Sequence, residues 1–330
     1  MEKPPFTITS KAVNLIAGIS ALLERHNIAL EGEEELRLRK ANRVRTIHSS
    51  LAIEGNTLSE DEVSDILNGK PVVAPLRQIQ EVKNAIKVYD LYSRLDPFSE
   101  KDLLKAHSVM MEALADDAGR YRKGGVGVFG ETGLVHMAPP AHLVPTHMHN
   151  LFQWLCESAD HLLVRSCVFH YEFEFIHPFS DGNGRTGRLW QSLILGRLNP
   201  IFEHLPVETM VFSNQIEYYE AIAASNAKGD SAPFIDFMLE EIFETLKSHV
   251  KTGLPNKVPN KVPNKTLDKN DMLILKILQE DGHLSRVALM EKTGLSDGGI
   301  KKILAKLKAC AAIERVGSNK TGYWRVLYSS

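Results

Sequence analysis

One run of twelve residues, 177–188, carries most of the chemistry that this sequence can do. It reads HPFSDGNGRTGR and combines an imidazole, a carboxylate, turn glycines and two arginines. His177 is the side chain in this run whose unperturbed pKa suits a general base near neutral pH. Asp181 offers the kind of oxygen ligand that Mg²⁺ uses together with substrate phosphates. These residue types favour a reaction in which a nucleophile attacks a bound polyphosphate ester.

The elements around this run predict a loop that leads into a helix N-terminus. The apolar and aromatic segment 168–176 predicts a helix that ends near His177, because Pro178 disfavours the α conformation for the residue before it. Apolar residues at helical spacing predict a second helix that begins near Gly184 or Arg185. The glycines Gly182 and Gly184 let consecutive backbone N–H groups point at one anion, and the helix dipole favours phosphate at the same place.

Two arginines follow the loop at a spacing that suits phosphate. Arg185 and Arg188 lie three residues apart, on one helical face, and each guanidinium can bind phosphate oxygens in a bidentate manner. A lone histidine or a lone Gly-Asn-Gly would indicate only a polar turn and a structural imidazole. The complete set at fixed spacing instead favours a site for nucleotide phosphates.

The run resembles the Fic family signature, HPFx[DE]GNGRxxR, at every specified position. The resemblance implies that His177 deprotonates a Ser, Thr or Tyr hydroxyl of a target protein. That hydroxyl then attacks the α-phosphorus of ATP, so that AMP is transferred and pyrophosphate is released. Asp181 is implied to hold Mg²⁺, and Phe179 is expected to pack into the core. The remaining implied roles are an anion hole of Gly182, Asn183 and Gly184, and a grip on the β- and γ-phosphates by Arg185 and Arg188.

A second segment, 49–57, lies more than a hundred residues upstream and reads SSLAIEGNT. It resembles the Fic inhibitory pattern [ST]xxxE[GN] through Ser50, Glu54 and Gly55. In that family the glutamate pairs with the second arginine of the signature, here Arg188, and ATP then sits in an unproductive pose. Alone, so short a pattern indicates only a helix C-terminus with a glycine cap. Upstream of a full signature it predicts an enzyme that is largely inactive as isolated.

The segment 124–137 reads GGVGVFGETGLVHM and predicts a β-hairpin, because β-branched stretches flank a turn-rich centre. The resemblance implies a flap over the active site, along which the backbone of the target protein docks as an added strand. The segment GRYR that precedes it, residues 119–122, fits the lead-in of such proteins. The alternative is an ordinary surface hairpin.

Residues after the signature resemble the Fic arrangement YY…N.GD..PF, which implies that Tyr219 and Asn226 border the adenine. An aromatic plane can stack on a purine, and an amide can hydrogen-bond to it. The alternative is that Tyr218 and Tyr219 both belong to the core. His170, seven residues before His177, is predicted to be structural.

The C-terminal part differs in composition. Residues 251–267 contain Asn-Lys-Val-Pro twice and predict an extended linker. Residues 268–330 predict three helices followed by a hairpin, which resembles a winged helix with possible DNA contact. The third helix carries lysines that can meet phosphates, but it lacks side chains that read base edges. The alternative is a protein–protein or dimerisation module. The lysines are Lys301, Lys302, Lys306 and Lys308.

The fold class that these patterns predict is mainly α. It is a Fic helical bundle with a β-hairpin flap, followed by a C-terminal winged helix-turn-helix domain. The predicted divisions are an N-terminal helical region with the inhibitory helix (1–110), a catalytic core (111–250), the linker (251–267) and the winged-helix domain (268–330). The three cysteines show no pairing pattern, and neither a signal peptide nor a membrane span is evident. A cytoplasmic protein with no membrane partner is therefore expected.

The leading functional hypothesis is a protein adenylyltransferase that uses ATP and Mg²⁺, is inhibited by Glu54, and modifies a target protein or itself. A first alternative keeps the fold but changes the chemistry, to another nucleotide or phosphate donor or to the removal of AMP. A second alternative is a DNA-binding regulator whose Fic body senses a nucleotide. Homodimers occur among similar proteins, so a homodimer is also expected.

Overall fold

The computed structural model of the chain describes residues 3–26, 33–130, 133–203, 205, 207–252, 269–280, 284–293, 295–309, 313–316 and 323–326. The chain divides into two compact units, Met1–Pro255 and Asn256–Ser330. The four-part division predicted from the sequence is finer than this and stays a prediction. Within the described ranges, no helix is long and apolar enough to cross a membrane.

The larger unit is mainly helical, with two short strands. Its helices are α1 (Ser10–His26), α2 (Glu33–Ile53), α3 (Glu60–Leu67), α4 (Leu76–Asp90), α5 (Glu100–Met110), α6 (Val144–Glu157), α7 (Leu162–Ile176), α8 (Asn183–Leu198), α9 (Val207–Ser213), α10 (Gln215–Lys228) and α11 (Ala232–Thr252). Its strands are β1 (Gly127–Gly130) and β2 (Gly133–Met137). Short 3₁₀ turns lie at Tyr92–Arg94, Ala141–Leu143 and Pro200–Glu203.

Helices α7 and α8 pack against each other at the centre of the main hydrophobic core. Ten of the fifteen residues of helix α7 are buried, as expected of a helix enclosed by others. Phe169 and Phe173 of α7 and Trp190 and Ile194 of α8 are fully buried. The loop that joins these two helices is the signature run, so the core holds both ends of that loop in place.

Helices α2, α3 and α4 share a second hydrophobic cluster, and we call these three helices the α2–α4 layer. Ile47 and Leu51 of α2, Val63 of α3 and Val82 of α4 are buried together. Helix α3 begins with a capping box, in which Ser59 and the side chain of Glu62 satisfy each other's backbone N–H groups. Their own core makes α2, α3 and α4 a coherent element that packs on α8 and α9.

Strands β1 and β2 pair antiparallel, with Gly127 opposite Met137 and Gly130 opposite Gly133. The register shifts between residues 128 and 129. Residues 131–132, between the strands, lie outside the described residues, as do the side chains of 127–137.

The smaller unit consists of α12 (Lys269–Glu280), α13 (Arg286–Thr293), α14 (Asp297–Ala309), β3 (Ile313–Val316) and β4 (Tyr323–Val326). Strands β3 and β4 pair antiparallel. This is the predicted order of three helices and two strands, and the Ser296 hydroxyl caps α14 by accepting from the Gly299 N–H at 3.2 Å. Lys301 is exposed, whereas the side chains of Lys302, Lys306 and Lys308 lie outside the described residues, as does the predicted linker from residue 253 to 267.

Candidate active site

The candidate base, His177, directly follows the last residue of α7. Its N–H still donates to the Phe173 carbonyl at 2.9 Å, but its own backbone is left-handed, with φ 49° and ψ 62°. A non-glycine residue in this region costs energy and persists only where its surroundings hold it. The imidazole Nδ1 lies 3.4 Å from the Glu174 carbonyl oxygen. The left-handed residue turns the chain sharply from α7 into the loop.

A buried arginine holds this turn. The Arg122 Nε donates to the His177 carbonyl at 2.7 Å, and Nη2 reaches the Ile176 carbonyl at 3.2 Å. The same guanidinium donates to the carbonyls of Gly124 at 2.8 Å and Pro139 at 2.6 Å. Those two residues lie just before β1 and just after β2. One side chain therefore connects the backbone of the candidate base to both ends of the two-stranded segment.

Asn183 closes the signature loop from within. Its Oδ1 accepts from the Phe179 N–H and its Nδ2 donates to the Phe179 carbonyl, both at 2.9 Å. Phe179 is fully buried, which confirms its predicted place in the core. The Asn183 side chain is thus used to shape the loop, and the backbone N–H is the part of this residue that an anion could meet.

His107 of α5 also supports the signature loop, a role that was not predicted from the sequence. Its Nδ1 accepts from the Gly119 N–H at 2.8 Å, so its Nε2 carries the proton and donates to the Asp181 carbonyl at 2.9 Å. The ring stacks on Phe179 with centroids 3.5 Å apart. Burial lowers the pKa of His107 to about 4, so it is neutral at pH 7 and acts as a fixed support.

Gly182 stands where no side chain fits. Its φ is +83°, and a Cβ there would lie 2.7 Å from the Met111 sulfur. Its carbonyl accepts from both the N–H of Thr186, at 3.0 Å, and the Thr186 hydroxyl, at 2.8 Å. Helix α8 therefore starts directly after it, and the free N–H groups of that first turn form the N-terminal end where an anion is favoured.

Asp181, the predicted metal ligand, uses its two oxygens differently. Oδ1 accepts from the Gly182 N–H at 2.6 Å and from Arg185 at 3.1 Å, whereas Oδ2 accepts from Arg77 of α4 at 3.0 Å. Arg185 is buried, and its Nη1 lies 4.0 Å from Glu81. No group of three or more His, Cys, Asp or Glu side chains suited to a metal occurs among the described residues. A cation at Asp181 would thus take its other ligands from phosphates and water, which is the coordination that Mg²⁺ prefers.

Arg188, the second arginine, is paired with the glutamate of the upstream segment. Its Nη2 donates to Glu54 Oε1 at 2.7 Å and to the Ser50 carbonyl at 3.1 Å, and only 1% of Arg188 is exposed. Glu54 follows the last residue of α2, and Gly55 ends the helix with a φ of +86°. Burial would lower the pKa of Arg188, but the Glu54 carboxylate raises it, and the net direction is upward.

Glu54 also lies directly above the start of α8. A Cβ on Gly184 would be 2.5 Å from Glu54 Oε1 and 2.9 Å from Arg188 Nη1. The carboxylate therefore occupies the space over the helix N-terminus that the sequence assigns to phosphate. Ser50, Glu54 and Gly55 are thereby brought to the signature from more than a hundred residues away.

Two family descriptions match this chain. The Fic/DOC family matches residues 97–195, and a winged helix-turn-helix DNA-binding family matches residues 267–310. A Fic family protein from Desulfovibrio desulfuricans G20, known from a crystal structure, has 40% sequence identity to this chain and a TM-score of 0.72. The match covers 100% of this chain and 99% of that chain. The chain belongs to the Fic/DOC family.

Curated relatives of this Fic protein carry the name protein adenylyltransferase. That of Nematostella vectensis is 30% identical over 216 residues, covering 62% of this chain and 48% of its own length. That of Caenorhabditis elegans, fic-1, is 29% identical over 219 residues, covering 62% of this chain and 40% of its own length. The chain thus spans less than half the length of these two relatives.

The two adjacent tyrosines that follow the Fic signature, Tyr218 and Tyr219, have different surroundings. Tyr218 is buried and lies 3.1 Å from Nε2 of His170, which confirms the core interpretation for Tyr218 and the structural role predicted for His170. Tyr219 is 50% exposed and remains open to a ligand. Asn226 is partly exposed, and its Oδ1 accepts from the Tyr171 hydroxyl at 2.8 Å. That hydrogen bond directs the amide nitrogen of Asn226 away from Tyr171.

Carboxyl groups other than Glu54 surround the second arginine of the Fic signature. Burial raises the pKa of Glu174 to about 7, while Arg188 opposes the shift and Glu54 adds to it. A Cβ on Gly187 would lie 2.7 Å from Glu174 Oε1. Glu208 is buried as well and accepts from the Tyr89 hydroxyl at 2.5 Å. Removing Glu54 would therefore leave Arg188 with other carboxyl groups nearby.

Proposed function

We propose that this Fic protein is an adenylyltransferase that moves AMP from ATP to a hydroxyl side chain of a target protein, or of itself, and that Glu54 holds it inhibited. The observation that carries the proposal is the 2.7 Å contact between Glu54 and Arg188 inside a complete signature. The names of the curated relatives support the donor and the reaction class.

In the proposed reaction, His177 accepts the proton of the target hydroxyl, and the hydroxyl oxygen attacks the α-phosphorus of ATP. The bond to the bridging oxygen breaks, and pyrophosphate leaves. The N–H groups of Asn183 and Gly184 at the start of α8 stabilise the developing negative charge, and the Gly182 N–H joins them once it is released from Asp181 Oδ1. Arg185 and Arg188 hold the β- and γ-phosphates.

Asp181 is the residue proposed to hold Mg²⁺, which when bound neutralises phosphate charge. The exposed ring of Tyr219 and the amide of Asn226 are proposed to border the adenine. The β1–β2 segment is proposed to be the flap, on which the target backbone adds as a further strand. The Arg122 contacts support this, because they attach both ends of that segment to the loop that carries the base.

We attribute the inhibition to Glu54, which occupies the position where phosphate would bind. Glu54 engages the guanidinium that would hold the γ-phosphate, and its carboxylate repels an incoming phosphate over Gly184. ATP can then bind only with its triphosphate displaced from the geometry that in-line attack requires. Relief of inhibition requires the end of α2 to move or Glu54 to lose its partner.

The test is transfer of label from α-³²P-ATP and Mg²⁺ to proteins of a cell lysate by the Glu54→Gly chain, with Glu54→Gly/His177→Ala as the matched control. Label from α-³²P-ATP but not from γ-³²P-ATP, and absent in the control, is the expected result. Parallel reactions with α-labelled GTP, UTP and CTP define the donor. Label from another nucleotide alone would replace ATP as donor, loss of AMP from a pre-modified protein would indicate reversal, and no label would contradict the transferase.

A second candidate function is DNA binding through the smaller unit, which its match to winged helix-turn-helix DNA-binding domains favours. We expect the full chain to bind duplex DNA with an affinity that falls steeply as salt rises, since lysine–phosphate contacts release counterions. Lys301→Glu on α14 should weaken binding and reduce the salt slope by about one. The control is Lys276→Glu, an exposed lysine of α12. Failure to bind at low salt would contradict this function.

A further inference from the structure

The cation position of this active site is contacted by an arginine that the Fic signature does not contain. Arg77 Nη2 lies 3.0 Å from Asp181 Oδ2. The other oxygen, Oδ1, is already used by the Gly182 N–H and by Arg185. Oδ2 is thus the oxygen left to face an ion, and it is the one that Arg77 takes.

The position of Arg77 is set by its neighbours on α4 and by the segment that follows Glu54. Arg77 Nε lies 3.4 Å from Glu81 Oε1, one helical turn away. Asn56 Nδ2 donates to Glu81 Oε2 at 2.9 Å and to the Gln78 carbonyl at 3.2 Å. The start of α4 is therefore bound to residues only two positions beyond Glu54, and the α2–α4 layer packs these parts on one hydrophobic cluster.

The α2–α4 layer consequently presents two charges to the signature at once. The Glu54 carboxylate meets Arg188, where a phosphate would lie, and the Arg77 guanidinium meets Asp181, where a divalent cation would lie. A bound Mg²⁺–triphosphate would present a negative charge to Arg188 and a positive charge to Asp181, as Glu54 and Arg77 do. The first charge belongs to the known Fic inhibitory pattern, whereas the second comes from a helix outside that pattern.

We propose that Arg77 is a residue that controls cation binding in this enzyme: it stands in for the divalent cation at Asp181 and must leave before Mg²⁺ binds with ATP. This rests on the proposed function, since it takes Asp181 as the cation ligand. Arg77 and Asp181 are 59% and 42% exposed as side chains, so the pair is screened and its effect is modest. Arg77 competes with Mg²⁺ for Asp181 and so weakens the contribution of Mg²⁺ to ATP binding. It does so without contacting the phosphates of ATP.

The test is calorimetric titration of ATP, with Mg²⁺ and with EDTA, into the Glu54→Gly/His177→Ala chain, which binds nucleotide without transferring it. The dissociation constant in EDTA divided by the dissociation constant with Mg²⁺ gives the contribution of Mg²⁺ to ATP binding. Adding Arg77→Gln should increase that ratio about two- to fivefold, the worth of an exposed ion pair. Affinity in EDTA should stay unchanged, and Arg77→Lys should lie between the two.

Two control variants make the measurement specific. Lys83→Gln removes another exposed cation of α4 and should leave the ratio unchanged. Asp181→Asn should remove the Mg²⁺ contribution with or without Arg77, which assigns the cation to that carboxylate. The increase should also shrink at high salt, because screening weakens the ion pair that competes.

The outcomes separate this inference from the function on which it rests. ATP binding with a Mg²⁺ contribution that Arg77→Gln leaves unchanged overturns the role of Arg77 and keeps the transferase. Weaker ATP binding by Arg77→Gln in EDTA also overturns it, because Arg77 would then be a phosphate ligand. Absence of ATP binding in every variant contradicts both.

Discussion

Replacing Glu54 by glycine is expected to raise AMP transfer by about 10- to 1,000-fold. On the proposed function, the pair between Glu54 and Arg188 keeps the active arrangement as a minor state, and minor states of this kind are commonly about 0.1–10% populated. Removing the carboxylate frees Arg188 for the γ-phosphate and clears the space over Gly184. The measurement is the initial rate of labelling from α-³²P-ATP, with wild type and variant at equal concentration.

Graded variants at the same position identify the cause. Glu54→Gln keeps the shape and a hydrogen-bond acceptor but removes the charge, so its rate should lie between wild type and Glu54→Gly. Glu60→Gln alters an exposed carboxylate at the start of α3 and should leave the rate at the wild-type level. Equal rates for wild type and Glu54→Gly would refute the inhibitory role of this residue.

The same substitution has an expected effect on stability. Arg188 is buried, so loss of Glu54 leaves a buried charge without its closest partner. The Glu54→Gly chain should therefore melt at a lower temperature than wild type. Mg²⁺ and ATP should raise its melting temperature more than that of wild type, because phosphates replace the missing carboxylate and ligand binding stabilises the folded state.

Replacing His177 by alanine in the Glu54→Gly chain is expected to lower AMP transfer by about 100- to 10,000-fold, the usual worth of a positioned general base. The His177 Nδ1 lies 3.4 Å from the Glu174 carbonyl oxygen, and the turn itself is held through the backbone, where Arg122 donates to the His177 carbonyl. The loop should therefore survive the change. ATP affinity, measured by calorimetry, should stay within about twofold while the rate falls, since the contribution is made in the transition state.

The matched control for this prediction is His142→Ala, an exposed histidine in the turn before α6. It should retain the full rate of the Glu54→Gly chain. An equal loss of ATP binding and rate in His177→Ala would mean that the loop had collapsed. Full activity without His177 would remove it as the base.

The signature loop and its flanking helices were predictable from local chemistry. The apolar segment before Pro178 predicted the end of α7, which falls at Ile176, and helical periodicity predicted α8, which starts at Asn183. Phe179 was predictable as a core residue because burial is the main way in which an aromatic side chain beside a polar turn contributes to stability. The order of elements in the smaller unit followed from the same kind of periodicity.

The partners of the site residues were less predictable. His107 and Arg77 reach Asp181 from α5 and α4, far away in the sequence. An exposed charge such as Arg77 looks the same in the sequence whether it meets solvent or a loop. Asn183 in a Gly-Asn-Gly run reads as an anion ligand, yet its side chain is used to close the loop on Phe179. Such choices depend on packing geometry, which residue spacing does not encode.

The Arg122 contacts bear on how such a protein could change its targets over evolution. All four of its acceptors are main-chain carbonyls, at His177, Ile176, Gly124 and Pro139, and every amino acid supplies that group. On the proposed function, substitutions within residues 125–138 would alter which target peptide docks there, while the Arg122 anchor stays intact. We therefore expect the proposed target specificity to change more readily over evolution than the geometry of the loop at His177.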